Sequence, residues 1–150
     1  MKIETTRNIS AEPEKVWRIV GEQFGEISEW SSGVIASALD GPLSDGVTRT
    51  CELSGSGGGP GGVITEQVTR FDRDHQSLTY HIRSGLPPMF GDVSNAWQIT
   101  GTGPGRSTVR SELNVDLKWW AKPMTPMVRK QFGRTIEGLL KELADAVEAR

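Results

Sequence analysis

This 150-residue sequence has one cysteine, Cys51, so no internal disulfide can form and no thiolate metal cluster can assemble. Histidine is almost as scarce. His75 and His81 are the only two, and without a convergent set of further ligands they do not make a metal site. No stretch approaches the roughly 18 consecutive apolar residues of a membrane-spanning helix, so stable membrane insertion is not expected. Met1-Lys2-Ile3-Glu4-Thr5 lacks a basic stretch followed by an apolar run and does not read as a signal peptide. Neither sign of charge is in excess. Seventeen basic against 19 acidic residues leave a net charge of −2, without the basic surface that phosphate backbones require. Together these absences set the expectation of a reduced, cytoplasmic protein that binds no nucleic acid.

What is present describes a folded domain. Hydrophobic residues at 35% and charged residues at 24% are the proportions of a globular chain rather than a disordered one. The length suits one domain over residues 1–150, large enough for a real core and too short for two. The 18 glycines exceed the usual share of roughly 7%. They fall in short clusters, where they read as tight turns between strands.

The hydrophobic periodicity places the elements. Lys2 to Ile9 alternates and suits a first strand. Ser10-Ala11-Glu12-Pro13-Glu14 supplies a cap candidate, early acids and a proline in a first turn. Val16, Trp17, Ile19, Val20 and Phe24 then form the apolar stripe of a short helix, and a second short helix runs from Gly25 to about Trp30. Six strands follow: Val34 to Leu39, Val47 to Leu53, Val63 to Phe71, Ser77 to Arg83, Val93 to Thr100 and Ser107 to Lys118. Glycine-rich or polar turns separate them, the pattern of a meandering antiparallel sheet. Beyond Pro123 and Pro126, Val128, Phe132, Ile136, Leu139, Leu140, Leu143 and Val147 recur at three- and four-residue steps, giving a long helix one apolar face. A sheet with one apolar face must be covered, and only this helix is long enough to cover it. The expected fold is therefore α+β: a curved seven-stranded antiparallel sheet around a long C-terminal helix, with two short helices after the first strand.

This order, with several local motifs, resembles the START-like (SRPBCC) superfamily of helix-grip domains, and within it the polyketide cyclase/dehydrase and lipid-transport type. The motifs are Ala11-Glu12-Pro13-Glu14-Lys15-Val16-Trp17, Trp30, Gly46-Val47-Thr48-Arg49, Glu66-Gln67-Val68-Thr69-Arg70-Phe71-Asp72 and Leu78-Thr79-Tyr80-His81-Ile82. The resemblance covers essentially the whole chain. It implies a START-like ligand-binding domain with an internal cavity for a small hydrophobic molecule, and it puts Trp30 at the mouth. One departure is Ser111, where relatives often carry an aromatic residue; extra room in the pocket is the expected consequence.

Strand parity assigns the inward side chains. Leu78, Tyr80 and Ile82 share the inner face of the fifth strand, and Val93, Asn95, Trp97 and Ile99 that of the sixth. Val109, Ser111, Leu113, Val115 and Leu117 do so in the seventh. If the hairpin around the glycine run closes symmetrically, Arg49 faces Glu66 and Cys51 faces Ile64. Carrying the register on puts Glu66 beside Tyr80 and Ile64 beside Ile82, and so predicts one row of Arg49, Glu66, Tyr80, Trp97 and Ser111. Candidate ligand contacts are Trp30, Cys51, Ile64, Ile82, Asn95, Trp97, Ser111, Leu113, Phe132 and Ile136. A buried carboxylate needs a partner, and Arg49 offers Glu66 one, so the pair is either a structural tie or part of a site.

Two functions compete. One is binding of a small hydrophobic molecule, such as a lipid, a quinone or a polyketide-like aromatic. The other is a cyclase or dehydratase in which Glu66 is acid or base, Tyr80 a donor and Arg49 an enolate stabiliser. Binding is favoured because the constellation lacks a well-placed histidine or a matched carboxylate pair. No cofactor is expected: the run Gly55 to Gly62 lacks the Gly-Lys-Ser/Thr ending of a phosphate loop and leads into no helix. Cys51 reads as an inert core thiol. Two segments are candidate entrances: the loop Gly85-Leu86-Pro87-Pro88-Met89-Phe90-Gly91, and Trp119-Trp120 with the following Met124 and Met127. The tryptophan segment would alternatively serve as a homodimer surface.

Overall fold

The computed structural model describes residues 1–55 and 61–150. Its elements are β1 (Lys2–Ile9), α1 (Pro13–Trp17), β2 (Val34–Leu39), β3 (Thr48–Leu53), β4 (Gly62–Asp72), β5 (Ser77–Ser84), β6 (Phe90–Gly103), β7 (Arg106–Leu117) and α2 (Thr125–Ala149). The seven strands form one antiparallel sheet in the order β1-β7-β6-β5-β4-β3-β2. Strands β2 to β7 thus meander in sequence, and β1 pairs with β7 at the far edge. Residues 56–60, most of the run Gly55 to Gly62 weighed as a phosphate loop, lie outside the described residues.

The apolar stripe after β1 is carried by three short helical segments rather than one. After α1 the chain widens into a π-type turn over Arg18–Glu22, where Gln23 N–H donates to the Arg18 carbonyl at 2.9 Å. Trp17 packs against this turn. Its indole lies so close over Gly21 that a Cβ there would sit 2.5 Å from the ring, and its Nε1 donates to Glu22 Oε2 at 2.8 Å. A 3₁₀ stretch over Phe24–Glu29, kinked at Glu26, then leads to Trp30. Proline at the first position of α1 is tolerated because that N–H would lack a helical partner anyway.

In β7 every second residue from Ser107 to Leu117 is buried, as alternation across a sheet requires. In α2, Val128, Ile136, Leu140, Leu143, Ala144 and Val147 are buried, and the helix rests chiefly on β1. Burying each of the valines, leucines and the isoleucine stabilises the fold by roughly 1.5–3 kcal/mol. Phe132 and Leu139 lie beside that stripe and are only partly buried. They project where the helix stands away from the other half of the sheet.

Register decides how the inner face is laid out. Arg49 pairs with Glu66 and Cys51 with Ile64, as symmetrical closure of the hairpin predicts. Between β4 and β5 the expectation fails. Glu66 pairs with Ile82, and Tyr80 pairs with Val68. Two features move the register. The turn closes from Asp72 to Ser77, with Gln76 in the left-handed region at φ 50°, and an extra residue bulges between Val68 and Arg70. The bulge keeps Glu66, Val68, Tyr80 and Ile82 on one face while letting Phe71 turn inward beside Trp17, their ring centroids 5.3 Å apart. Trp97 does pair with Ser111, but Trp97 also pairs with Leu78, so both sit displaced along the sheet from Arg49 and Glu66. The predicted single row is therefore staggered.

Candidate functional site

A chamber of about 410 Å³ lies between α2 and the inner face of β3 to β6. It exists because α2 packs on β1 and leaves the β3–β5 side uncovered. Its walls are mostly apolar: Ile64, Ile82, Val93, Leu113, Phe132, Ile136 and Leu139 contribute, with Leu86, Pro87 and Phe90 from the β5–β6 loop. Phe90 and Phe132 meet edge to face at 5.5 Å and close that end. Gly85, which begins the loop, has φ +99°, and a Cβ there would collide with the Val63 carbonyl oxygen. Only glycine lets the loop cross β4 this closely. At the opposite rim, Ser32 N–H donates to Glu142 Oε2 of α2 at 2.8 Å.

One polar cluster interrupts the apolar wall. Arg49 and Glu66 are both buried, at 3% and 4% exposure, where an unpaired charge would be costly. Arg49 Nη2 and Nε reach Glu66 Oε1 at 2.7 and 2.9 Å, and Cys51 Sγ donates to the same oxygen at 3.3 Å. Among the described residues, every contact of the Glu66 carboxylate falls on Oε1. Arg49 is fixed further by Nη1 donating to the Phe24 carbonyl at 2.8 Å, and its guanidinium lies 3.7 Å from the Phe24 ring centroid. Next along the face, Asn95 Nδ2 donates to Tyr80 Oη at 3.4 Å, and Ser111 Oγ donates to Asn95 Oδ1 at 2.7 Å.

The titration of these groups follows from their surroundings. Burial alone would lower the Arg49 pKa, but the Glu66 carboxylate outweighs it and the net displacement is upward. Burial pushes Cys51 up to about 12, despite the opposing charge of Arg49. Burial, reinforced by Glu66, likewise pushes Tyr80 up to about 12. At neutral pH both are therefore protonated and poor bases.

Tyr80 is the chain's only tyrosine, which makes this directly measurable. Below the unfolded-state value of about 10, folded and unfolded chains both keep the phenol proton and stability is unaffected. Between there and about 12 the unfolded chain releases it first, so stability falls as pH rises through this window. Tyrosinate absorbance should stay absent at pH 10 and appear with unfolding near 12. A tyrosinate inflection near 10 in protein that is still folded would contradict the enclosed position of Tyr80.

Ten of the sequence-derived candidates line this one chamber: Arg49, Cys51, Ile64, Glu66, Tyr80, Ile82, Asn95, Leu113, Phe132 and Ile136. Three do not. Trp30 and Trp97 line a separate space of about 10 Å³, the size of one water molecule, and the Trp30 Nε1 has no hydrogen-bond partner among the described residues. Ser111 lines neither space. It is fully buried opposite Trp97 with its hydroxyl on Asn95, so the missing aromatic does not enlarge the chamber. The proline loop borders the chamber, whereas Trp119 and Trp120 do not. Sequence reasoning missed Phe24, whose contacts with Arg49 depend on the turn at Gln23. It also missed Gln131, Arg134, Thr135 and Glu142, the polar rim that α2 contributes. Their helical spacing around Phe132 and Leu139 was the available signal.

The fold has counterparts among known proteins. A family model described as polyketide cyclase / dehydrase and lipid transport matches residues 1–148. The chain belongs to that family. As a member of it, it resembles a START superfamily protein from Mycobacterium smegmatis, with 21% identity and a TM-score of 0.81 over 99% of this chain and 97% of the other. A protein from Thermus thermophilus matches with 18% identity and a TM-score of 0.80, covering 99% and 98%. The major latex-like protein 151 of Panax ginseng, at 11% identity, has a TM-score of 0.80 over 97% and 96%. At such identities the likeness is one of fold. No curated protein matches the sequence.

Proposed function

We propose that this polyketide cyclase/dehydrase and lipid-transport family member binds a small hydrophobic molecule, of lipid, quinone or polyketide-like aromatic type, between its sheet and α2. The observation that carries this reading is the chamber itself. Its volume of about 410 Å³ is within the range of ~300–1,000 Å³ usual for small-molecule sites. Its lining combines apolar walls with a few convergent polar groups, which supports a ligand with an apolar body and one polar end directed at Glu66, Tyr80 and Asn95.

Acid–base turnover on such a ligand has less support. Arg49 ties the Glu66 carboxylate through two N–H groups, and Tyr80 and Cys51 hold their protons up to about 12. Neither Tyr80 nor Cys51 is poised to exchange a proton near neutrality. The paired carboxylate suits anchoring a donor group better than abstracting a proton.

Native mass spectrometry of the purified protein, followed by solvent extraction, tests the reading. One small apolar molecule retained per chain and released unchanged after incubation is the expected result. Release of a chemically altered molecule would favour turnover. A protein that comes away empty and also fails to take up an added apolar fluorophore would sink the proposal.

A further inference from the structure

Four of the exposed large apolar side chains, Trp119 the most open among the described residues, are gathered where the chain enters α2. Trp119 is 83% exposed, Trp120 53% and Met127 56%, and Met124 stands beside them. Trp119 to Met124 form one tight 3₁₀ turn, so these side chains are held on a short, defined ledge. The charge carried by this segment itself is of one sign. From Lys118 to Ile136 the sequence has Lys118, Lys122, Arg129, Lys130 and Arg134 and no acidic residue, in a chain whose net charge is −2. Among the described residues the acid beside these lysines is Asp116, 3.9 Å from Lys122 on the open surface, one negative charge against several positive ones.

The ledge is continuous with the chamber mouth. Lys118 N–H donates to the Met89 carbonyl at 2.9 Å, and Leu117 pairs with Phe90, which ties the ledge to the proline loop that borders the chamber. On α2, Met127 precedes the rim residues Gln131 and Arg134 at helical spacing, so the apolar ledge and the rim share one helix face.

We propose that this ledge is a docking surface for an anionic lipid bilayer, which brings the chamber mouth against the membrane surface. Tryptophan and methionine suit the boundary between headgroups and acyl chains, and the lysines and arginines suit anionic headgroups. A second copy of this chain fits less well, because the same basic residues would face one another across a two-fold interface. The docking does not depend on what fills the chamber.

Flotation of the full chain with vesicles tests this. The parent should float with vesicles of phosphatidylglycerol and phosphatidylcholine, bind pure phosphatidylcholine weakly, and detach as salt is raised. Two separate variants, Trp119→Ala/Trp120→Ala and Lys118→Glu/Lys122→Glu, should each lose about tenfold or more in vesicle binding while keeping the parental Tm, since the altered side chains are exposed. A parent that ignores anionic vesicles overturns the proposal, as do variants that bind them as the parent does. A dimer that the tryptophan variant splits, without vesicle binding by the parent, assigns the ledge to self-association instead. Retention of apolar ligand by the same preparations reports separately on the chamber.

Discussion

Replacing Arg49 with Ala should destabilise the protein by about 3–5 kcal/mol, the usual cost of leaving one member of a buried ion pair unpartnered. For a chain of this length that corresponds to a fall in Tm of roughly 6–20 °C. The loss has three parts. Glu66 keeps its burial but loses two donors to Oε1; the Phe24 carbonyl loses its donor; and the Phe24 ring loses the guanidinium stacked on it. The double variant Arg49→Met/Glu66→Leu should recover most of the stability, because apolar groups of similar size need no compensating charge. It should also bind a ligand's polar end less well, since the carboxylate is gone. Thermal denaturation of the three proteins, with an apolar fluorophore titrated into each, reads both effects. If Arg49→Ala melts within a degree or two of the parent, the pair is not holding β3 to β4. A double variant that remains as unstable as Arg49→Ala would point instead to a geometric role that only the charged pair can fill.

Filling the chamber should separate binding from folding. Ile64 on β4 and Leu139 on α2 are partly buried and line the chamber from its two walls. Ile64→Trp/Leu139→Trp puts two indoles into space that the parent leaves open. Uptake of an apolar fluorophore should fall by more than about tenfold, equivalent to about 1.4 kcal/mol of binding free energy. Stability should be equal or higher, because each indole gains apolar contact without displacing a packed neighbour, at about 25 cal/mol per Å² removed from water. In a close-packed core the same pair would cost stability through overpacking. A variant that unfolds would therefore mean that the interior is already filled, and one that binds as the parent does would move the ligand elsewhere.

Much of the candidate site was legible before any coordinates, and the successes share one physical basis. Alternation along a strand has a period of two regardless of what the strand pairs with, so the inner faces of β5, β6 and β7 could be assigned from their apolar members. The Arg49–Glu66 pairing was accessible because a hairpin constrains two neighbouring strands around one centre. The errors accumulated where hairpins were chained. The turn from Asp72 to Ser77 and the bulge between Val68 and Arg70 set Glu66 against Ile82, and the β5–β6 register independently sets Trp97 against Leu78 rather than Tyr80. Alternation placed Trp97 and Ser111 on the correct face, and the two register displacements put them in a different row from Arg49 and Glu66.

The amino-acid pattern by itself determined the element order, the meandering antiparallel sheet, the apolar face of α2 and the sidedness of each strand, because all of these follow from local periodicity. Only the tertiary structure decided where α2 lies across the sheet. By resting on β1 it leaves Phe132 and Leu139 facing a space instead of a packed strand, and that offset opens the chamber. It also decided that Arg49 leans on Phe24 and that Trp30 and Trp97 share a separate small cavity. These contacts join residues far apart in the chain, whose distances depend on turn geometry and helix tilt rather than on any repeat in the sequence.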